Sequence, residues 1–186
     1  MPVSYRKPPK MLEDGAVAYL DVFRLDGDDT FYGAILMLDG RGLPLEFVHN
    51  RLPSPSGLLW TEPDTGRQAV AALAHSLFDA CRRDPDLLLC LPSLGTAEFC
   101  RAEIAPASPF AQVLPASESL PTGILWVNAP PTDGMRGLTL YQEALRRDAL
   151  VEPFARLRLG LREIYPQAPW PVPEKLEAAR VEIFTE

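Results

Sequence analysis

Few side chains in this sequence are equipped for chemistry. The candidate acid ligands are Asp21, Asp39, Glu46, Glu143 and Asp148. The histidines are His49 and His75, and the thiols are Cys81, Cys90 and Cys100. Carboxylates drawn from different elements can hold a hard divalent cation, which takes several oxygen ligands, and the ion can then activate water for hydrolysis. Asp21, between Leu20 and Val22, is the acid most deeply set in an apolar run. Such a residue either points to solvent from a half-exposed strand or sits in a site. Asp39 precedes Gly40 and reads as a turn residue. Glu143 and Asp148 lie beside Arg146 and Arg147 and read as a solvated helix face.

The remaining constellations are incomplete. Two histidines with no HxxxH or CxxC context do not suggest zinc, and His75 beside Ala74 reads as a structural histidine at the edge of an apolar stripe. A nucleophile pair of Cys90 with His49 has nothing local to support it. "SLGT" lacks the GxSxG elbow, and "GRG" and "DGMRG" lack the glycine patterns that cradle phosphates. No cofactor and no resident metal are expected. Trp60 in a polar loop and Trp170 in "PQAPWPVP" (166–173) stand off any obvious core face. Tryptophan in such places either packs on its own domain or marks a partner-binding surface, and the second segment can run extended in a polyproline conformation.

These residues must be positioned by an α/β scaffold. "AVAYLDVFRL" (16–25) is apolar on both alternating faces, as a central strand requires. The turn "DGDD" leads to a second strand, "FYGAILMLD" (31–39), and "GRG" to a third, "LPLEFVHNRL" (43–52). Turns this short predict an antiparallel meander. After a Pro/Ser/Gly-rich loop, Thr65 and Gln68 have the spacing of a capping box, and Val70, Leu73, Ala74, Leu77, Phe78 and Cys81 recur at helical spacing up to Pro85. Arg82 and Arg83 are expected in the last turn, where cations complement the helix dipole.

"DLLLCL" then reads as a strand covered on both faces. Beyond it, "SLGTAEFCRAE" suits a short helix, "PFAQVL" (109–114) and "GILWVNA" (123–129) strands, and 138–150 a helix. A second helix after Pro153 has the face Phe154, Leu157, Leu161 and Ile164, and "ARVEIF" (179–184) suits a last edge strand. Residues 1–15 read as a flexible basic arm, and 16–186 as a single domain.

The run "AYLDVF…GAILMLDGRGLPLEF…VAALAHSLFDACRRDPDLLLCL" resembles the first half of endonuclease V, over roughly residues 16–95. The resemblance implies a ribonuclease H-like fold and a set of carboxylates converging on Mg²⁺. Asp21 matches the family's first-strand aspartate. The second acid of that family follows the "PDLLL" strand, where this sequence has Cys90-Leu91-Pro92-Ser93. One carboxylate does not make a two-metal site.

Composition narrows the function further. The chain has 186 residues, 47% hydrophobic and 23% charged, which suffices for one packed domain. Its formal charge of −7 argues against gripping nucleic acid unaided, since that affinity comes mainly from neutralising phosphates. No apolar run reaches the roughly 18 residues of a membrane span, and an odd number of cysteines without CxxC spacing suits a reducing cytoplasm. The sequence therefore favours a non-catalytic accessory or adaptor protein that binds a protein partner through Trp60 and Trp170, touching nucleic acid only through a complex. The alternative is a metal-dependent nuclease with a relocated carboxylate set that includes Asp21.

Overall fold

The computed structural model describes residues 14–54, 61–104, 106–114, 116 and 122–171. Most of the expected basic arm, Trp60 and the 179–184 strand lie outside the described residues. The chain forms β1 (Ala16–Arg24), β2 (Thr30–Asp39), β3 (Pro44–Pro53), α1 (Glu62–Ala80), β4 (Leu87–Cys90), α2 (Thr96–Phe99), β5 (Phe110–Leu114), β6 (Gly123–Trp126), α3 (Arg136–Arg146) and α4 (Glu152–Ile164). α2 runs on into a wider π-helical turn, Cys100–Ile104.

The six strands make one sheet in the order β3-β2-β1-β4-β5-β6. β1, β2 and β3 are the expected antiparallel meander. β4 lies parallel to β1, β5 parallel to β4, and β6 antiparallel to β5. β1 is central because both its faces are apolar. Ala18, Leu20 and Val22 pack with Val70, Leu73 and Leu77 of α1. Val17, Tyr19 and Phe23 pack on the other side with Leu140 of α3 and Phe154, Leu157 and Leu161 of α4. Helices thus cover both faces of the sheet.

The turns follow from single side chains. Asp39 Oδ1 accepts the backbone N–H groups of Arg41 (2.9 Å) and Leu43 (2.8 Å), closing the β2–β3 turn, and Gly42 takes the left-handed φ of +82° that the turn requires. Asp39 is the turn residue the sequence suggested. Asp86 ties the entrance of β4 to that of β1: its Oδ2 accepts from Ala16 N at 2.9 Å, and its own N–H donates to Ala16 O at 2.8 Å. α3 begins against the same point. A Cβ on Gly137 would lie 2.6 Å from the Asp86 carbonyl oxygen, so the helix reaches the sheet only because that residue is glycine.

The ends of α1 correct the sequence reading. The N-cap is Thr61, whose hydroxyl accepts from Asp64 N, not Thr65. Thr65 sits inside the helix and donates its hydroxyl to Thr61 O at 3.1 Å. Thr61-x-x-Asp64 opens the helix one turn early because a proline in the first turn needs no N–H partner. The helix also stops at Ala80, so Arg82 and Arg83 are not in its last turn. Arg82 N is taken instead by the Glu46 carboxylate of β3, at 3.1 and 3.2 Å. On α4, Ile164 falls off the apolar face and is 40% exposed.

Candidate functional site

Alternation along β1 puts Asp21 on the α4 side of the sheet, between Tyr19 and Phe23. The residue is fully buried. Its Oδ2 accepts a hydrogen bond from Arg158 Nε of α4 at 2.8 Å. The guanidinium is half exposed and lies 4.8 Å from the centre of the Phe23 ring. Ser93, just past the end of β4, is 3.5 Å from Asp21 Oδ1 but only 3.1 Å from the Val22 carbonyl oxygen. A hydroxyl has one proton to give, and the shorter contact takes it. Arg158 is therefore the principal partner of Asp21. Burial pushes the Asp21 carboxyl above the ordinary range, and the Arg158 charge and hydrogen bond pull it part of the way back.

The sheet order, the two helical layers and the position of Asp21 can be set beside known structures. The endonuclease V of Streptomyces avermitilis superposes with a TM-score of 0.50 at 14% identity, over 81% of this chain and 82% of that one. The fold is ribonuclease H-like. The endonuclease V of Bacillus subtilis gives a TM-score of 0.38 at 14% identity over 57% of this chain; the chain spans 47% of that protein's length. No protein-family model and no curated protein matches the sequence.

Within this ribonuclease H-like frame, the residues at the ends of β1 and β4 do not fit a hard divalent cation. Asp21 is, among the described residues, the one carboxylate bonded where β1 passes the C-terminal end of β4, and its strongest contact is a guanidinium that already supplies positive charge. Among the described residues, no group of three or more His, Cys, Asp or Glu side chains is placed to hold a metal.

The other acids are elsewhere. Asp39 pairs with Ala16 at the far end of β1, whereas Asp21 pairs with Ala34. Five residues of strand separate them, roughly 17 Å at the usual rise. Glu46 holds the end of α1, and Glu143 pairs with Arg146 at 2.6 Å and Arg147 at 2.5 Å on α3. Asp148 lies in the left-handed turn that follows α3, with φ of +54°. No relocated acid converges on Asp21 among these.

The histidines and thiols are also separate. His49 is exposed on β3, its Nδ1 2.9 Å from the Tyr165 hydroxyl, while Cys90 is buried in the α1-side core. His75 is exposed and lies edge-on at 5.5 Å to the Phe99 ring, which packs on the α1-side core. Trp170 is half-buried. It packs on Phe23 at 6.0 Å and Tyr32 at 5.8 Å, and its Nε1 donates to Tyr165 O at 2.8 Å. A cleft of about 750 Å³ opens on the opposite face of the sheet between Phe31, Val70, Leu94 and Phe99, and Asp21 does not line it.

Sequence reasoning missed Arg158, and it placed Ser93 only within the stretch that lacks an acid, without its contacts to Val22 and Asp21. A signal for Arg158 was present: it stands four residues after Phe154 and three before Leu161, a cation on the flank of an apolar stripe. Such a residue faces the buried layer and needs an anion there. Ser93 carried no signal beyond its place after the β4 strand.

Proposed function

We propose that this chain is a non-catalytic accessory protein, a ribonuclease H-like scaffold that binds a protein partner. The observation that carries the reading is the engagement of Asp21. The one acid in the first-strand position is sealed from solvent and bonded to Arg158, and the stretch Cys90-Leu91-Pro92-Ser93 at the end of the buried strand holds no second acid. A guanidinium at that point repels a divalent cation and removes the oxygen that would bind it. Trp60 and the exposed part of Trp170 are the residues we assign to the partner contact, in keeping with the over-representation of tryptophan in binding hot spots. The half-buried Trp170 ring also packs on Phe23 and Tyr32, so its substitution must be checked for stability.

A second reading is favoured by the likeness to an endonuclease V fold and by the placement of Asp21 on β1: a metal-dependent nuclease that uses Asp21 with acids brought from elsewhere. One experiment separates the two. Purified protein is incubated with single- and double-stranded DNA and RNA in Mg²⁺ or Mn²⁺, wild type beside Asp21→Asn. The accessory reading expects no cleavage by either. Metal-dependent cleavage that disappears in Asp21→Asn would overturn it.

A further inference from the structure

The sheet has two outer strands of very different character. β6 has four residues, and short edges offer little to a passing chain. β3 has ten, Pro44–Pro53, and among the described residues it pairs only with β2. In an antiparallel pair, alternate residues turn their N–H and C=O groups away from the partner, so this edge presents a row of free backbone donors and acceptors. Edges of this length are commonly blunted by prolines, and here the two prolines stand at the ends, leaving Leu45 to Leu52 open.

A cleft of about 740 Å³ runs beside this edge, lined by Leu45 to His49 and, across from them, by Arg82 and Arg83. The early stop of α1 creates it. Because Arg82 N is held by Glu46, the two arginines are carried beyond the helix end and stand exposed over the strand. Neither makes an ion pair within the described residues, where Arg136, Arg146, Arg147, Arg156 and Arg158 all do. The one carboxylate of the cleft, Glu46, is turned to the Arg82 backbone.

We infer that β3 is a docking edge that takes an extended acidic peptide segment of a partner protein as a seventh strand, with Arg82 and Arg83 pairing its carboxylates. The backbone of such a peptide supplies the alternating N–H and C=O groups that β-strand addition needs, and the arginines supply specificity and register. Nucleic acid offers the negative charge without that backbone, so the edge selects against it. The inference rests on the accessory reading and names the surface by which a partner is held.

The test uses a fluorescent decapeptide alternating valine and glutamate, followed by anisotropy with the full chain. Binding is expected, with the β3 amides that face away from β2 protected against hydrogen exchange only when the peptide is present. The Arg82→Glu/Arg83→Glu double variant, with an unchanged melting temperature, is expected to lose at least about tenfold in affinity, equivalent to about 1.4 kcal/mol. The same peptide N-methylated at every residue, which leaves neither edge with an N–H to donate, is expected not to bind. No binding, equal binding of the N-methylated peptide, or outward-facing β3 amides (those not bonded to β2) already protected without peptide would each overturn the proposal. So would equal competition by oligothymidylate, which would make the cleft a general polyanion surface. Failure here removes the docking edge and leaves the accessory reading in place; only the cleavage assay on Asp21→Asn removes that.

Discussion

Arg158 Nε stands 2.8 Å from Asp21 Oδ2, joining a helix and a strand whose residues are 137 positions apart. The two ends of this pair are unequal: the carboxylate is fully buried and the guanidinium is half in water. Removing the cation therefore strands a buried charge, while removing the anion leaves an arginine that water can solvate.

The mutants should follow that asymmetry. Arg158→Met, which keeps the stem against Phe23, is expected to cost about 1–3 kcal/mol at neutral pH, below the usual cost for a fully buried pair because its head is exposed. Asp21→Asn should cost less or be mildly stabilising. The pH dependence fixes the sign. A carboxyl raised above its unfolded value stabilises the fold most when protonated, below the unfolded value near 3.8, and loses that contribution as pH rises through the folded one. The deficit of Arg158→Met should hence shrink toward acid, and Asp21→Asn should gain most near neutrality. Denaturant melts of both single variants and the double variant measure the coupling. Equal losses for the two single variants would contradict the asymmetry.

The α1 stripe gives a graded expectation. Leu77 is fully buried against the sheet, whereas Phe78 is only partly buried at the stripe's edge. Leu77→Ala should cost about 2–5 kcal/mol, and Phe78→Ala should fall toward the lower end of that range. Losses below about 1 kcal/mol at Leu77 in a denaturant melt would mean that α1 does not cover the sheet.

Thiol labelling should rank the three cysteines. Burial pushes Cys90 far above the ordinary thiol range, Cys100 up to about 12, and the half-buried Cys81 up to about 11. Only the thiolate attacks a disulfide reagent. In the folded protein near pH 8, Cys81 should react slowly and the other two should not, and raising the pH should accelerate Cys81 first. All three should react at once in denaturant. Fast native labelling of Cys90 would place it outside the core.

Gly137→Ala should destabilise the protein, because the added Cβ meets a backbone oxygen rather than a flexible side chain. The expected loss is about 1–3 kcal/mol, the usual cost of overpacking, and is opposite in sign to the gain that alanine gives within an ordinary helix. A rise in melting temperature would show that α3 is free to move off the β4 entrance.

The meander, α1 and β4 were legible in the sequence because each is written in a local repeat. β1 and β2 show two apolar faces, "DGDD" and "GRG" mark the turns, and "DLLLCL" is a buried strand by composition alone. The start of α1 was misplaced by one turn since Thr61 and Thr65 both carry a cap-like spacing, and only the proline between them decides. The site was half legible. That Cys90-Leu91-Pro92-Ser93, at the end of β4, offers no acid can be read directly. That Arg158 lies on the flank of the α4 stripe has a periodic trace, but that it neutralises Asp21 depends on how α4 lies across the sheet, a tertiary relationship that the local sequence does not carry.

The covering of β1 by helices from the end of the chain has a consequence for synthesis. The meander is complete once β3 ends at Pro53, but the helix that closes over Tyr19 and Phe23 ends at Ile164, roughly 110 residues later. At about 5–20 residues per second, a ribosome holds that apolar sheet face uncovered for on the order of 5–20 s. A nascent chain of this kind is a client for chaperones that shield hydrophobic surface. Messages cut short before α4 should yield aggregates, however sound the strands they encode.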